Sequence, residues 1–143
     1  MFDKFRSLLA LPKKEVRHDV GLAFIAPVLK NIKSDIDKVR ISFDNIDKLI
    51  GSGFKIGFDK IPAEQLSDLI EKTKEVSAMV EASDTADKVR ITELLAEMHD
   101  DVVKCSALTA FLVNSDSPDD DFQSAARIFR SIDEKFRQIS GFF

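Results

Sequence analysis

Eight large apolar residues between Ile25 and Ile50 follow one another at alternating steps of four and three: Ile25, Leu29, Ile32, Ile36, Val39, Phe43, Ile46 and Ile50. On a helix this spacing gathers all eight into one stripe, and a stripe of that length must be buried against other helices. The intervening Lys30, Lys33, Asp35, Asp37, Lys38, Asp44 and Lys48 fall mostly on the other faces, and Asp44 with Lys48 has a favourable i,i+4 spacing. Pro27 is expected in a first helical turn, and Gly51-Ser52-Gly53 supplies residues that end helices. The pattern predicts a helix over about 27–50.

The remainder of the chain repeats this logic. A second helix is expected from Pro62, with Glu64 in its first turn and a seam of Leu66, Leu69, Thr73, Val76 and Val80. Continued, that spacing would put Ser83, Asp87 and Arg90 in the core. The next apolar seam instead runs Ile91, Leu95, Met98, Val102, Cys105, Leu112. The mismatch places a turn at 82–85, where Ser83, Asp84 and Thr85 can all cap a helix, and a third helix from there to about 113. No Gly or Pro marks that turn, so a single helix over 62–113 is the alternative. The fourth helix has Ser117 as N-cap, Pro118 at its first position and Asp119, Asp120 and Asp121 in its first turn, with Ser117 and Asp120 at capping-box spacing. Its seam is Phe122, Ala125, Phe129, Ile132, Phe136, Ile139, and Gly141 is placed to end it.

Four such helices, each with one stripe to bury, predict an all-α fold: an antiparallel up-down-up-down four-helix bundle about 35 Å long. At 143 residues, 44% hydrophobic and 32% charged, the chain suits one domain. Residues 1–24 are expected as an added amphipathic and apolar segment packed on or beside the bundle, with Phe2, Phe5, Leu8 and Leu9 on one side. The connection 51–61 is long for a bundle and alternates Phe54, Ile56 and Phe58. It is expected either to plug one end of the bundle or to present Phe54 and Phe58 to a partner. The stretch Asp37-Lys38-Val39-Arg40-Ile41-Ser42 recurs as Asp87-Lys88-Val89-Arg90-Ile91-Thr92, but the flanks do not match and no repeat architecture follows.

Composition narrows function. A net charge of −4 gives no overall positive field to gather nucleic acid, so no nucleic-acid partner is expected. Twelve Phe with no Tyr or Trp leave large packing groups without a phenol or indole donor. A single cysteine, Cys105, allows neither an intramolecular disulfide nor a Cys-based zinc site within one chain, which fits a reducing, cytoplasmic setting. The stretch 20–29 (VGLAFIAPVL) is too short to span a bilayer, and no small-residue cleavage site follows it.

Candidate chemistry is sparse. Glu15 and His18 have the Glu-x-x-His spacing of di-iron bundles, but the seams carry no acidic ligand to complete such a site, so no metal is expected. Histidine phosphotransfer domains are also four-helix bundles, with a Lys three residues after the reactive histidine. His99 has Val102 there and acidic neighbours Glu97, Asp100 and Asp101, so a solvated acidic face is the simpler expectation. Gly51, Gly53 and Gly57 have neither the spacing nor the preceding strand of a dinucleotide-binding loop. Cys105 lies in a seam, where burial makes a thiol inert. The acidic run 116–121 lacks the ligand spacing of an EF-hand and is accounted for by helix capping.

What remains is apolar surface outside the seams: Phe2, Phe5, Leu9, Phe54, Phe58, Phe142 and Phe143. These predict a non-enzymatic protein that works through protein-protein association, as adaptor, small chaperone or regulatory subunit, self-associating and without a cofactor. Two rival readings are a peripheral membrane contact through the N-terminal segment, where residues 1–20 carry five Lys/Arg against three Asp/Glu, and phosphotransfer through His99.

Overall fold

In the computed structural model, which describes the backbone of residues 13–143 and side chains from residue 23 onward, the chain forms four helices and, among the described residues, no strand. They are α1 (Lys13–Gly51), α2 (Ala63–Glu81), α3 (Lys88–Phe111) and α4 (Pro118–Ser140). Consecutive helices pack side by side, and α1 also meets α4, which closes a helical bundle. Paired contacts fix the sense of two neighbours: Arg40 of α1 meets Asp133 of α4 while Phe43 meets Phe122, and Arg90 of α3 meets Gln138 of α4 while Cys105 meets Ala125, so numbering rises along one helix as it falls along the other. Each pairing joins residues on antiparallel helices.

The heptad stripes become the core. Ile25, Leu29, Ile32, Ile36, Val39, Phe43 and Ile46 of α1 are all buried, and Ile50 packs half-buried at the end of the stripe. The predicted seams of α2 and α4 are buried at every position. In α3, Leu94 and Thr109 join the expected seam residues in the core, and Leu112 is buried in the 3-10 turn that follows. Thr73 and Thr109 sit in this apolar interior at no cost in unmet polarity, because each hydroxyl donates to a carbonyl one turn back, Ile70 and Ser106 respectively (3.0 Å each).

Two boundaries differ from expectation. The first helix begins at Lys13, not near residue 27, so residues 13–24 are not a separate segment but a continuation of α1. Pro27 therefore lies inside the helix, where its ring removes one i to i−4 hydrogen bond. The exposed Pro27 faces away from the stripe, and the Ile25 and Leu29 contacts on either side hold the helix through it. At 39 residues α1 is far longer than its 19- to 24-residue neighbours, and its first turns extend beyond the bundle by about 18 Å.

The second boundary is the α2–α3 turn, which extends to Asp87. Ser83 donates to the Val80 carbonyl (2.7 Å) and accepts from the Thr85 amide, and the Thr85 hydroxyl accepts from the Asp87 amide. Short polar side chains therefore build the turn that Gly or Pro would otherwise mark. The start of α4 is as expected, with Ser117 at the N-cap position and Pro118 first in the helix, but without the expected capping bond. Instead the Ser115 hydroxyl accepts from the Ser117 amide (3.0 Å) and donates to the Asp121 carboxylate. The Ser115 hydroxyl thus ties the approach to α4 to its first turn.

On the surface, the expected Asp44–Lys48 pair does not form, and both side chains are exposed. Arg40 gathers the charge instead. It binds Asp37 (2.6 Å) and reaches across to Asp133 of α4 (2.9 Å), with its guanidinium 5.9 Å from the centroid of the Phe129 ring.

Candidate functional site

The end of the bundle where α1 finishes and α4 begins concentrates the features that packing leaves unexplained. α1 ends in a Schellman motif: the Phe54 amide donates to the Leu49 carbonyl (3.0 Å), and the Gly53 amide to Ile50 (3.1 Å). Gly53 occupies the left-handed region at φ 79, which a side chain would strain. The residue after such a glycine commonly folds back onto the last helical turn. Phe54 does not: it is 67% exposed.

An extended strand would put residues 54, 56 and 58 on one face, but the connection is irregular and ends in a 3-10 turn, Phe58–Lys60, so the three separate. Ile56 alone turns inward, 7% exposed, and joins the core, while Phe54 and Phe58 point outward, with Phe58 at 76%. Plugging of the bundle end is thus done by Ile56, and both phenylalanines stay in solvent. Phe54, but not Phe58, lines a cleft of about 500 Å³ between the 50–56 stretch and the α3–α4 turn. Its lining includes the apolar Ile50, Phe54, Leu112, Val113 and Pro118 and the acidic Asp116, Asp119 and Asp120. None of these three carboxylates forms an ion pair among the described residues, whereas Asp121 is held by Ser115.

The other predicted interaction residues fall elsewhere. Phe142 is half-buried against the core at the opposite end of the bundle, and Phe143 is exposed. Phe2, Phe5 and Leu9 lie outside the described residues. The structure adds two exposed aromatics that the sequence reading passed over, Phe24 on α1 and Phe111 in the last turn of α3. Both follow from helical spacing, since each falls off its helix's seam.

His99 is not a simple solvated residue. It is half-buried in a depression of about 430 Å³ between α2 and α3, near Lys74, Ser77 and Glu81, and its Nε2 is enclosed with no hydrogen-bond partner. That nitrogen presents no surface to a phosphoryl donor. Cys105 is buried, its thiol within 3.7 Å of the Ala125 carbonyl, and loss of solvent with the nearby Asp101 charge pushes its pKa up to about 12. Among the described residues no group of three or more His, Cys, Asp or Glu is placed to hold a metal ion, and no helix is long and apolar enough to cross a membrane.

One buried charge escaped the sequence reading. Asp35, assigned to an outer face, is 5% exposed, and its carboxylate accepts from Lys72 of α2 (2.8 Å). It stands directly before the seam residue Ile36, at the edge of the stripe, so a small rotation of α1 toward α2 carries it inward. The pair is a structural contact between helices and touches neither cleft nor depression. The chain matches no known protein family, no curated protein and no solved structure.

Proposed function

We propose that this protein is a non-enzymatic helical bundle that acts through protein-protein association, as adaptor, small chaperone or regulatory subunit. The observation that carries this reading is the outward placement of Phe54 and Phe58 while Ile56 between them fills the core. Burying a phenylalanine stabilises by about 1.5–3 kcal/mol, and here one aliphatic residue does the packing while two larger aromatics remain in water. Exposed aromatics, one of them lining a part-apolar cleft, are the kind of surface from which interface anchors are drawn.

The test is a Phe54→Ser/Phe58→Ser variant. Both positions are exposed, so its circular dichroism should match that of the parent. Light scattering and affinity capture from the native host, followed by mass spectrometry, are then run on both proteins. The parent should self-associate or retain specific proteins, and the variant should lose them. A parent that stays monomeric and retains nothing, or a variant that retains the same set, would overturn the reading.

A further inference from the structure

Resting on that reading, we infer that the cleft beside Phe54 receives the N-terminal segment of a second copy of this chain, giving head-to-tail self-association. The argument begins with the cleft's chemistry. It is lined by the apolar Ile50, Phe54, Leu112, Val113 and Pro118 and by the acidic Asp116, Asp119 and Asp120, with Lys55 as the one basic residue among those lining it. Its occupant should offer large apolar side chains together with positive charge.

The chain's own N-terminal stretch has that composition. Phe2, Phe5, Leu8 and Leu9 are interleaved with Lys4 and Arg6, and Lys13, Lys14 and Arg17 follow. Asp3, Glu15 and Asp19 leave residues 1–20 with a net excess of two positive charges. The bundle as a whole is acidic, so this excess stands out against it.

Geometry decides between the chain's own cleft and that of another copy. α1 runs unbroken from Lys13 to Gly51, so the cleft residue Ile50 lies about 55 Å along the helix from Lys13. Phe2 is eleven residues before Lys13, and even a fully extended chain of that length spans at most about 40 Å. The segment therefore cannot reach the cleft of its own molecule. It leaves from the opposite end of the bundle on a helix that already projects beyond the other three, which presents it to a neighbour. Each copy would give one segment and receive one, a heterologous contact that closes into a ring or extends as a chain.

Sedimentation velocity on two complementary variants of the full chain tests this. Phe2→Ser/Phe5→Ser disables the segment and leaves the cleft intact. Asp116→Lys/Asp119→Lys disables the cleft and leaves the segment intact. The parent should gain mass with concentration and lose that mass as salt is raised from about 0.05 to 0.5 M. Each variant alone should stay monomeric with unchanged helix content, and their equimolar mixture should form a dimer and nothing larger. If Asp116→Lys/Asp119→Lys loses helix content, Asp116→Asn/Asp119→Asn replaces it, with the same expected dimer. A monomeric parent, a variant that assembles like the parent, or a mixture that stays monomeric would each overturn the inference. So would sedimentation of the parent with anionic phospholipid vesicles in place of self-assembly. Loss of captured proteins by the Phe54→Ser/Phe58→Ser variant, with the parent monomeric throughout, would leave the association reading standing and remove only this occupant.

Discussion

Cys105 shows how one position in a seam sets the chemistry of a side chain. Buried beneath α4 with its thiol pKa pushed up to about 12, it holds almost no thiolate at pH 8, and the thiolate is the reactive form. Native protein should resist iodoacetamide at that pH, and labelling should rise only as denaturant exposes the core. Fast labelling of the folded protein would show that the α3–α4 contact opens readily. This inertness was legible in the sequence, because Cys105 falls on the same stripe as Met98 and Val102. Asp35 was not, because helical periodicity is coarse to about one residue at the edge of a stripe, and charge argued for the outside. His99 was half legible: its place beside Met98 indicated a flanking position, but enclosure of Nε2 depends on how closely α2 approaches, which no pattern within α3 reports.

At the scale of elements, the seams fixed which residues face inward, and the ends followed less well. Pro27 reads as a first-turn residue because proline is favoured there, yet the contacts of Ile25 and Leu29 carry the helix through it. The end of α1 was legible in Gly51-Ser52-Gly53, and the structure assigns the work to one of the two glycines. Gly53 alone has positive φ, and a Cβ there would meet nothing within 4 Å. Gly53→Ala should therefore destabilise through backbone strain alone, by about 1–2 kcal/mol in chemical denaturation. Gly51→Ala, within the last helical turn and also unobstructed, should be neutral or slightly stabilising. Equal costs at the two sites would contradict the Schellman geometry. The outward placement of Phe54 belongs to the same element and could not be read beforehand: strand-like alternation would put Phe54, Ile56 and Phe58 on one face, and the irregular backbone instead turns only Ile56 into the core.

For the molecule as a whole, the bundle topology was legible from four stripes and short connections, and the unevenness of its closure was not. α1 packs less extensively on α4 than consecutive helices pack on one another. Toward the aromatic end Phe43 joins the two, its ring 5.4 Å from Phe122 and 5.2 Å from Phe129. Further along, the helices separate around a groove of about 590 Å³ over Leu29, Ile36 and Phe136, bridged by Arg40 and Asp133. Phe43→Ala should cost about 3–5 kcal/mol, and native-state hydrogen exchange should speed up first along α1. A cost under about 1 kcal/mol would mean that closure rests elsewhere.

The buried pair of Asp35 and Lys72 bears on a problem that a regular stripe creates. Because α1 repeats its apolar residues every seven positions, sliding it past α2 by one heptad, about 10.5 Å, would set Ile32 where Ile25 was, Val39 where Ile32 was and Ile46 where Val39 was, with little change in oiliness. Along the α1–α2 seam, apolar burial alone distinguishes such alignments poorly; Phe43 resists the slip only on the α4 side. The slipped helices, however, would bring Ser42 or Val28 opposite Lys72 and leave the carboxylate of Asp35 enclosed without its ammonium, a loss of several kcal/mol. The same pair that contributes little net stability in the native bundle thus acts as an index mark, making one of several near-equivalent alignments the one that folds.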